Sequence, residues 1–380
     1  MLQRISILVL YAGVLAFNCW RVAPVYNWDL IGYVGASQIL IETDPQSIHR
    51  KTFAELKAQL PKSEYDSLTA DGHYSVAISN QPEILIRQIP FYSIKPAYPA
   101  LMLLLNFAGL SLVTASLVIS KAAYVGVGSI VFYWLSRYFP PLLCLFFATL
   151  ISSYPYLVYV AGFSSPDLLS ALFILLVYFL LIETRSFRLP LGLLVLAITV
   201  RPDNLLLLFP VAAYFFRYRP EARSWTIASA FAGCLLYSAI GKWAGQYPWT
   251  TLFYHSFVQR LVDPSTFVST LSFGDYLDLY LLATRYVTQS SDSLVFFVPL
   301  SLYLMWAYRA DFGESRIWFR VIAINNLFML THWLIYPKEK DRTLEASFLF
   351  LMLALAMAAR PTLTRVFDKL GNFAGSRDQG

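Results

Sequence analysis

The feature that most constrains this sequence is a series of apolar runs, each close to the ~20 residues that cross a bilayer as a helix. The first run, 5–23, follows Arg4 and contains no charged residue before Arg21. Charged residues make up only 14% of the chain, against roughly a quarter in soluble domains. Because so few charges cannot cover a soluble surface of this size, the sequence predicts an all-α polytopic membrane protein.

The remaining apolar runs predict the number of membrane crossings. Further spans are predicted near 141–160, 166–183, 189–201, 203–217, 224–241, 293–308, 317–336 and 344–360. The first run is too long for a signal-peptide core and is predicted to be retained. The stretch 96–137 fits one crossing preceded by a short helix at 97–108. These runs predict a single transmembrane domain, 1–380, with about ten transmembrane helices in a range of about nine to twelve.

The distribution of basic residues predicts the orientation of these spans. The basic connectors and tail contain Arg185, Arg188, Arg217, Arg219, Arg223, Arg309, Arg316, Arg360, Arg365 and Lys369. Placing them in the cytoplasm satisfies the positive-inside rule, so the net charge of +6 reflects topology and not nucleic-acid binding. Alternation then places 24–96, 162–166, 201–204, 242–292 and 337–343 on the opposite side.

Two of these non-cytoplasmic segments are long loops. The first, 24–96, is predicted to form helices at 27–42 and 48–60, and its apolar part, 84–94, suits a segment that lies in the membrane interface. In the second helix Phe53, Leu56 and Leu60 share one face. The second loop, 242–292, carries an aromatic group expected at the level of the lipid headgroups, namely Trp243, Tyr247, Trp249, Phe253 and Tyr254.

Asp29 is the sharpest candidate for chemistry. It lies just beyond the first span, and helical spacing puts Tyr33 and Ala36 on the same face. A carboxylate at the mouth of a helix bundle is placed to act as a general base on an acceptor hydroxyl. The alternative is that Asp29 caps the N-terminus of a helix.

Five short motifs, of which the first begins at Asp29, occur in an order that carries a family resemblance. They are Asp29 with Tyr33 and Ala36 leading to Glu42-Thr-Asp-Pro45, then Lys95-Pro-Ala-Tyr98-Pro, Gly162-Phe-Ser-Ser-Pro-Asp167, Arg201-Pro-Asp203-Asn and Lys338-Glu-Lys-Asp-Arg342. This order resembles the GT-C superfamily of membrane glycosyltransferases, which includes protein mannosyltransferases and aminoarabinose transferases. The similarity covers most of 1–217 and thins after it.

The resemblance implies a GT-C-like fold and an inverting transfer of a sugar from a polyprenyl-phosphate carrier to an acceptor hydroxyl of a glycan, lipid or protein. Asp29 matches the catalytic base, and Lys95, Arg201 and Arg342 are the cations available for the donor phosphate. Further contacts with donor or acceptor are expected from Tyr33, Tyr98, Asp167, Asp203, His255, His332 and Lys338. The chain has no Asp-x-Asp motif and no His-x-x-x-His pair, so no metal or other cofactor is predicted.

Structural alternatives remain open for several of these residues. Lys95 could be an anchor at the membrane interface, Arg201 could form a salt bridge with Asp203, Asp167 could cap a helix, and His332 could be a satisfied interior histidine. At the level of function, the alternatives are a transporter or flippase of a lipid-linked glycan, and a polymerase or ligase of envelope polysaccharide. The predicted location is the bacterial inner membrane, with the active site and both long loops on the periplasmic side.

Overall fold

The computed structural model describes residues 2–289, 293–309, 314–337 and 344–377, and within them every regular element is a helix. The N-terminal part contains α1 (Leu2–Arg21), α2 (Trp28–Gln38), α3 (Pro45–Gln59), α4 (Lys62–Ala70), α5 (His73–Asn80), α6 (Pro82–Gln88), α7 (Pro90–Ser93), α8 (Ala97–Phe107) and α9 (Leu112–Ser136). It continues with α10 (Pro141–Ser152), α11 (Pro155–Val160), α12 (Asp167–Glu183), α13 (Arg188–Val200), α14 (Leu205–Tyr218), α15 (Arg223–Ala244), α16 (Trp249–Phe257), α17 (Phe273–Gln289), α18 (Ser293–Tyr308), α19 (Glu314–Ile335) and α20 (Glu345–Arg377). The prediction of an all-α chain is confirmed.

Helices suited to a bilayer are present among the described residues. By length and composition, three are long and apolar enough to cross a membrane: Leu112–Ser136, Pro220–Ala244 and Glu345–Leu363. Shorter apolar helices are Ile5–Arg21, Ala97–Phe107, Pro141–Ser152, Arg188–Val200 and Leu294–Tyr308. The chain is therefore an α-helical protein with the character of a membrane protein.

The span predicted near 141–160 consists of two helices, because the chain breaks between α10 and α11. The helix α10 ends at Ser152, and Tyr154 leaves the helical region at ψ 121° directly before Pro155. The ring of a proline disfavours helical backbone at the preceding residue, so the break follows from the sequence. The break was not predicted, because the apolar residues continue on both sides of it.

Polar side chains from α1 and α9 satisfy the groups that this break exposes. Asn18 donates to the Tyr124 hydroxyl at 2.8 Å, and the same hydroxyl donates to the carbonyl of Ser152 at 2.8 Å. Tyr11 donates to the carbonyl of Gly128 at 2.8 Å. Because an unpaired polar group is costly in an apolar interior, these bonds fix α1, α9 and α10 against one another.

The first loop has a hydrophobic core of its own. The helices α2 to α8 and the start of α9 bury Leu30, Tyr33, Leu56 and Tyr98 together, and the predicted stripe of Phe53, Leu56 and Leu60 faces this core. The larger core lies among α1, α9 to α15 and α18 to α20. The first loop is thus a folded unit seated on one end of the helix bundle.

One aromatic residue of the second loop is not at the protein surface. Phe253 belongs to the group predicted at the level of the lipid headgroups, and its side chain is fully buried against Trp249, Phe257, Tyr276 and Tyr280. These five rings form a packed cluster because α16 folds against α17. The sequence could not separate this packing from an interfacial belt, since both use the same residue types.

The two ends of the bundle are held by different kinds of contact. At one end Arg137 pairs with Glu183 at 3.1 Å, and Trp134 donates to the same carboxylate at 2.8 Å. At the other end the first loop meets the turn at 162–166, where the Val25 amide donates to the carbonyl of Gly162 at 2.8 Å. The second contact joins two segments that charge alternation predicted on one side.

Gly162 allows this contact, and its substitution tests it. A side chain at this position would place Cβ 2.5 Å from the carbonyl oxygen of Ala23, which is backbone and cannot rotate away. We expect Gly162→Ala to lower the free energy of unfolding by about 1–3 kcal/mol, measured by denaturation of the purified protein in detergent. Gly192→Ala is the matched control, since its Cβ would meet open space in α13. The control should be neutral or stabilising by up to about 1 kcal/mol, and equal losses in both variants would contradict the close approach.

Candidate functional site

A cavity of about 520 Å³ lies where the first and second loops meet the ends of α12, α13, α14, α15 and α19. It is lined by eight of the residues predicted from the sequence: Asp29, Tyr33, Lys95, Asp167, Arg201, Asp203, His255 and His332. Tyr98 is fully buried beside it, with its ring centroid 4.8 Å from that of Tyr33. Lys338 and Arg342 lie outside the described residues. Segments far apart in sequence therefore converge on one cavity.

Asp29 lies in the first turn of α2, and the alternative that it caps this helix is wrong. The helix begins at Trp28, and its N-cap position is Asn27, whose side chain makes no capping bond. Asn27 instead donates to the Asp29 carboxylate at 3.2 Å. The positive end of the helix dipole favours a negative charge at this position. Asp29 is thus an ionisable group on the cavity wall.

Lys95 approaches the cavity from the short connection between α7 and α8. Its Nζ donates to the Tyr33 hydroxyl at 2.7 Å and lies 5.2 Å from the centroid of that ring. No carboxylate of the described residues pairs with it. Burial first, and the nearby positive charge of Arg201 second, lower the pKa of Lys95 to about 8. The ammonium is therefore charged at neutral pH and has hydrogen-bond donors to spare.

Tyr33 supports Lys95 from the floor of the cavity. Burial first, and the charge of Asp29 second, hold its pKa well above the ordinary value, so the hydroxyl stays neutral. Its ring meets those of Tyr92 and Tyr98 edge to face. The ring of Tyr92 lies against Gly32, where a Cβ would come within 2.2 Å of it. The glycine in α2 thus permits the aromatic packing that orients Tyr33.

Arg201 is the centre of a buried charge cluster. Its Nε and Nη2 donate to the two oxygens of Asp203, each at 3.0 Å, and its Nη1 donates to Asp167. The side chain of Asp167 is only 3% exposed and also accepts from Ser165 at 2.7 Å. The predicted salt bridge between Arg201 and Asp203 is present, and a second carboxylate extends it.

His332 completes the cluster from α19. Its Nε2 lies 2.9 Å from the Asp203 carboxylate, and the residue is 3% exposed. Burial raises the pKa of Asp203, but Arg201 and His332 outweigh burial and hold that pKa below its ordinary range. Two carboxylates thus share one guanidinium, and the cluster joins the start of α12, the turn before α14 and the end of α19.

Several cavity residues were missed by the sequence reasoning. Arg260 places its guanidinium 5.5 Å from the ring of Trp28 and 5.7 Å from that of Tyr74, and all three line the cavity. Two side-chain contacts hold the segment that carries Arg260: Gln88 donates to the carbonyl of Leu261 at 2.8 Å, and the amide of Leu261 donates to His255 at 3.0 Å. The motifs contained no signal for this docking, because it depends on coil between α16 and α17.

Comparison with protein-family models finds no match, and comparisons with curated proteins and with solved structures find none either. Within the part of the chain that the structure describes, no three His, Cys, Asp or Glu side chains are grouped as metal ligands. The chemistry of the cavity must therefore be inferred from its own side chains.

These side chains can perform two tasks. Asp29 can accept a proton, and Lys95 can stabilise an anion, because its charge is not compensated by a paired carboxylate. Aromatic rings line the remaining wall, with Trp28, Tyr74 and Phe91 from the first loop. Such a wall suits a ligand that presents both apolar and hydrogen-bonding surfaces. The cavity therefore fits a base-assisted reaction with an anionic group.

Replacing Arg201 tests the structural part of this arrangement. We expect Arg201→Gln to lower the free energy of unfolding by about 3–5 kcal/mol, because Asp167 is left buried without a cation. The measurement is denaturation of the purified protein in detergent. The control Arg219→Gln removes an exposed pair with Glu221 at 3.6 Å and should cost about 0–1 kcal/mol.

A double variant sharpens this test. Adding Asp167→Asn to Arg201→Gln removes the uncompensated charge, so the double variant should lose less than the sum of the two single losses. Additive losses would contradict a shared buried ion pair.

Proposed function

We propose that this chain is an inverting membrane glycosyltransferase of the GT-C type, which uses a polyprenyl-phosphate sugar as donor. The observation that carries the proposal is the placement of Asp29 and Lys95 on one cavity. Transfer from a lipid phosphate requires two groups, a general base and a cation, and Lys95 is a cation that forms no ion pair with a carboxylate of the described residues. The motif order described above supports the same assignment.

The reaction can be written through these residues. The oxygen of the acceptor hydroxyl attacks the anomeric carbon of the sugar, and Asp29 accepts the proton of that hydroxyl. The bond between that carbon and the phosphate oxygen breaks, and its electron pair leaves with the polyprenyl phosphate. Attack from the face opposite the phosphate inverts the configuration. Lys95 stabilises the negative charge that develops on the leaving phosphate.

Arg201 has a different part in this proposal from Lys95. Its guanidinium is bonded to Asp167 and Asp203, so the cluster as a whole carries no excess positive charge while His332 is neutral. It serves mainly to hold the cavity wall, and Lys95 is the first contact of the donor phosphate. Arg342 and Lys338 remain proposed as further contacts from the late loop. Tyr33 orients Lys95.

The position of the cavity favours an enzyme over the transporter or flippase. Transporter sites lie near the middle of the membrane on interrupted helices. Here Asp167 begins α12, Arg201 follows α13 and His332 is in the last turn of α19, so the cavity lies at helix ends. We propose about ten crossings, a bacterial inner-membrane location, the cavity on the periplasmic side and an acceptor in the cell envelope.

The role of Asp29 is tested by Asp29→Asn. The asparagine amide has the size of the Asp29 carboxylate and can still accept a hydrogen bond from Asn27, but it cannot accept the proton of the acceptor hydroxyl. Transfer from a labelled polyprenyl-phosphate sugar should therefore fall by about 10²–10⁴-fold. Asp66→Asn is the control, since Asp66 is exposed on α4 in the same loop and outside the cavity. Expression and unfolding temperature should be unchanged in both. Near-normal turnover of Asp29→Asn would show that Asp29 is not the general base.

The role of Lys95 predicts a dependence on pH. Because its pKa is about 8, the ammonium loses its proton as the pH rises through that value, and kcat/KM for the donor should decline above it. Lys95→Arg keeps a positive charge to much higher pH, so the decline should move upward even if the rate is lower. A decline at the same pH in both proteins would show that another group causes it.

A further inference from the structure

A second cavity, whose lining shares no residue with the first, is a groove between α1 and α9. Its volume is about 500 Å³, and its walls are formed mainly by Leu8, Leu15, Val125 and Phe132. Among the residues that the structure describes, none of those lining the groove is charged. From Cys19 to Leu8 the groove follows α1 for ~16 Å at 1.5 Å per residue, about half of the ~30 Å hydrocarbon core. It thus has the length of one lipid leaflet.

A lysine stands at one end of this groove. Lys121 lies within the apolar helix α9, and its Nζ donates to the carbonyl of Cys19 at 2.8 Å. Cys19 is in the last turn of α1, where carbonyls lack helical partners. That single bond leaves two of the three ammonium protons for another acceptor.

Two more residues mark this end of the groove as the level of the headgroups. Trp20 is 80% exposed, and Arg21 ends α1 with its guanidinium 5.8 Å from the ring of Phe17. Exposed tryptophan and arginine at a helix end are typical of the membrane interface. A positive charge within an apolar helix is costly unless it faces an anion, water or a polar group.

We propose that this groove binds one anionic phospholipid of the bilayer, with its phosphate at Lys121 and one acyl chain along α1 and α9. The positive charge of Lys121 at one end, and the uncharged lining residues that the structure describes, match the two parts of such a lipid. The site is separate from the cavity at Asp29 and does not depend on the reaction proposed for it.

The test uses the purified full-length protein in a neutral detergent. Phosphatidylglycerol or phosphatidylcholine with identical chains is titrated in, while native mass spectrometry counts bound lipids and thermal denaturation reports stability. We expect one tightly bound phosphatidylglycerol that raises the unfolding temperature, and weaker binding of phosphatidylcholine. Equal binding and equal stabilisation by the two lipids would overturn the proposal, because the groove would then be ordinary lipid-facing surface.

Variants separate lipid binding from the bond between Lys121 and α1. Lys121→Gln should weaken phosphatidylglycerol binding about fivefold, whereas Lys121→Arg should retain the preference for the anionic lipid. Lys242→Gln is the control, since Lys242 is a lysine of another apolar helix, α15, and lines neither cavity. If Lys121→Gln keeps the wild-type preference for phosphatidylglycerol over phosphatidylcholine, the proposal is overturned, even if the lipid-free variant is less stable than the wild type.

Discussion

The bonds of Arg201 to Asp167 and Asp203 are the interaction on which the cavity depends. The start of α12, the turn before α14 and, through His332, the end of α19 are all held by this one guanidinium. Desolvation makes isolated buried charges expensive, so each segment is stable in its place only while the others are present. The planar fork of arginine, which can bond two carboxylates at fixed angles, explains why this residue occupies the centre.

Arg201 and Lys95 have different tasks in the cavity, because the charge of Arg201 is neutralised by Asp167 and Asp203. Lys95 is bonded to the Tyr33 hydroxyl and to no described carboxylate, so its charge is available to a ligand. Its lowered pKa has the same origin, since burial and Arg201 both disfavour the ammonium until an anion arrives. An anionic group that enters the cavity therefore stabilises the charged form of Lys95. The charge of Arg201 thus affects the protonation of Lys95, the residue proposed to bind the leaving phosphate.

Much of the helical framework could be predicted, because apolar runs and basic connectors mark helix bodies and ends. Thus the predicted span 189–201 corresponds to Arg188–Val200, and the predicted span 166–183 corresponds to Asp167–Glu183. The interruption before Pro155 was missed because the apolar pattern continues across it. Charged side chains in turns were found from the sequence, since such charges near a membrane need partners. Arg260 was not found, because only the docking of a coil segment on α6 brings it to the cavity.

Under the proposed function, the protein breaks the bond between a sugar and a lipid phosphate instead of moving the intact lipid across the membrane. To test this, the purified protein is placed in liposomes with a polyprenyl-phosphate sugar that is labelled in the sugar, together with an envelope extract as acceptor. A glycosyltransferase should move the label to the acceptor and release an equal amount of free polyprenyl phosphate. Label that remains on the polyprenyl phosphate and appears in the opposite leaflet would contradict it.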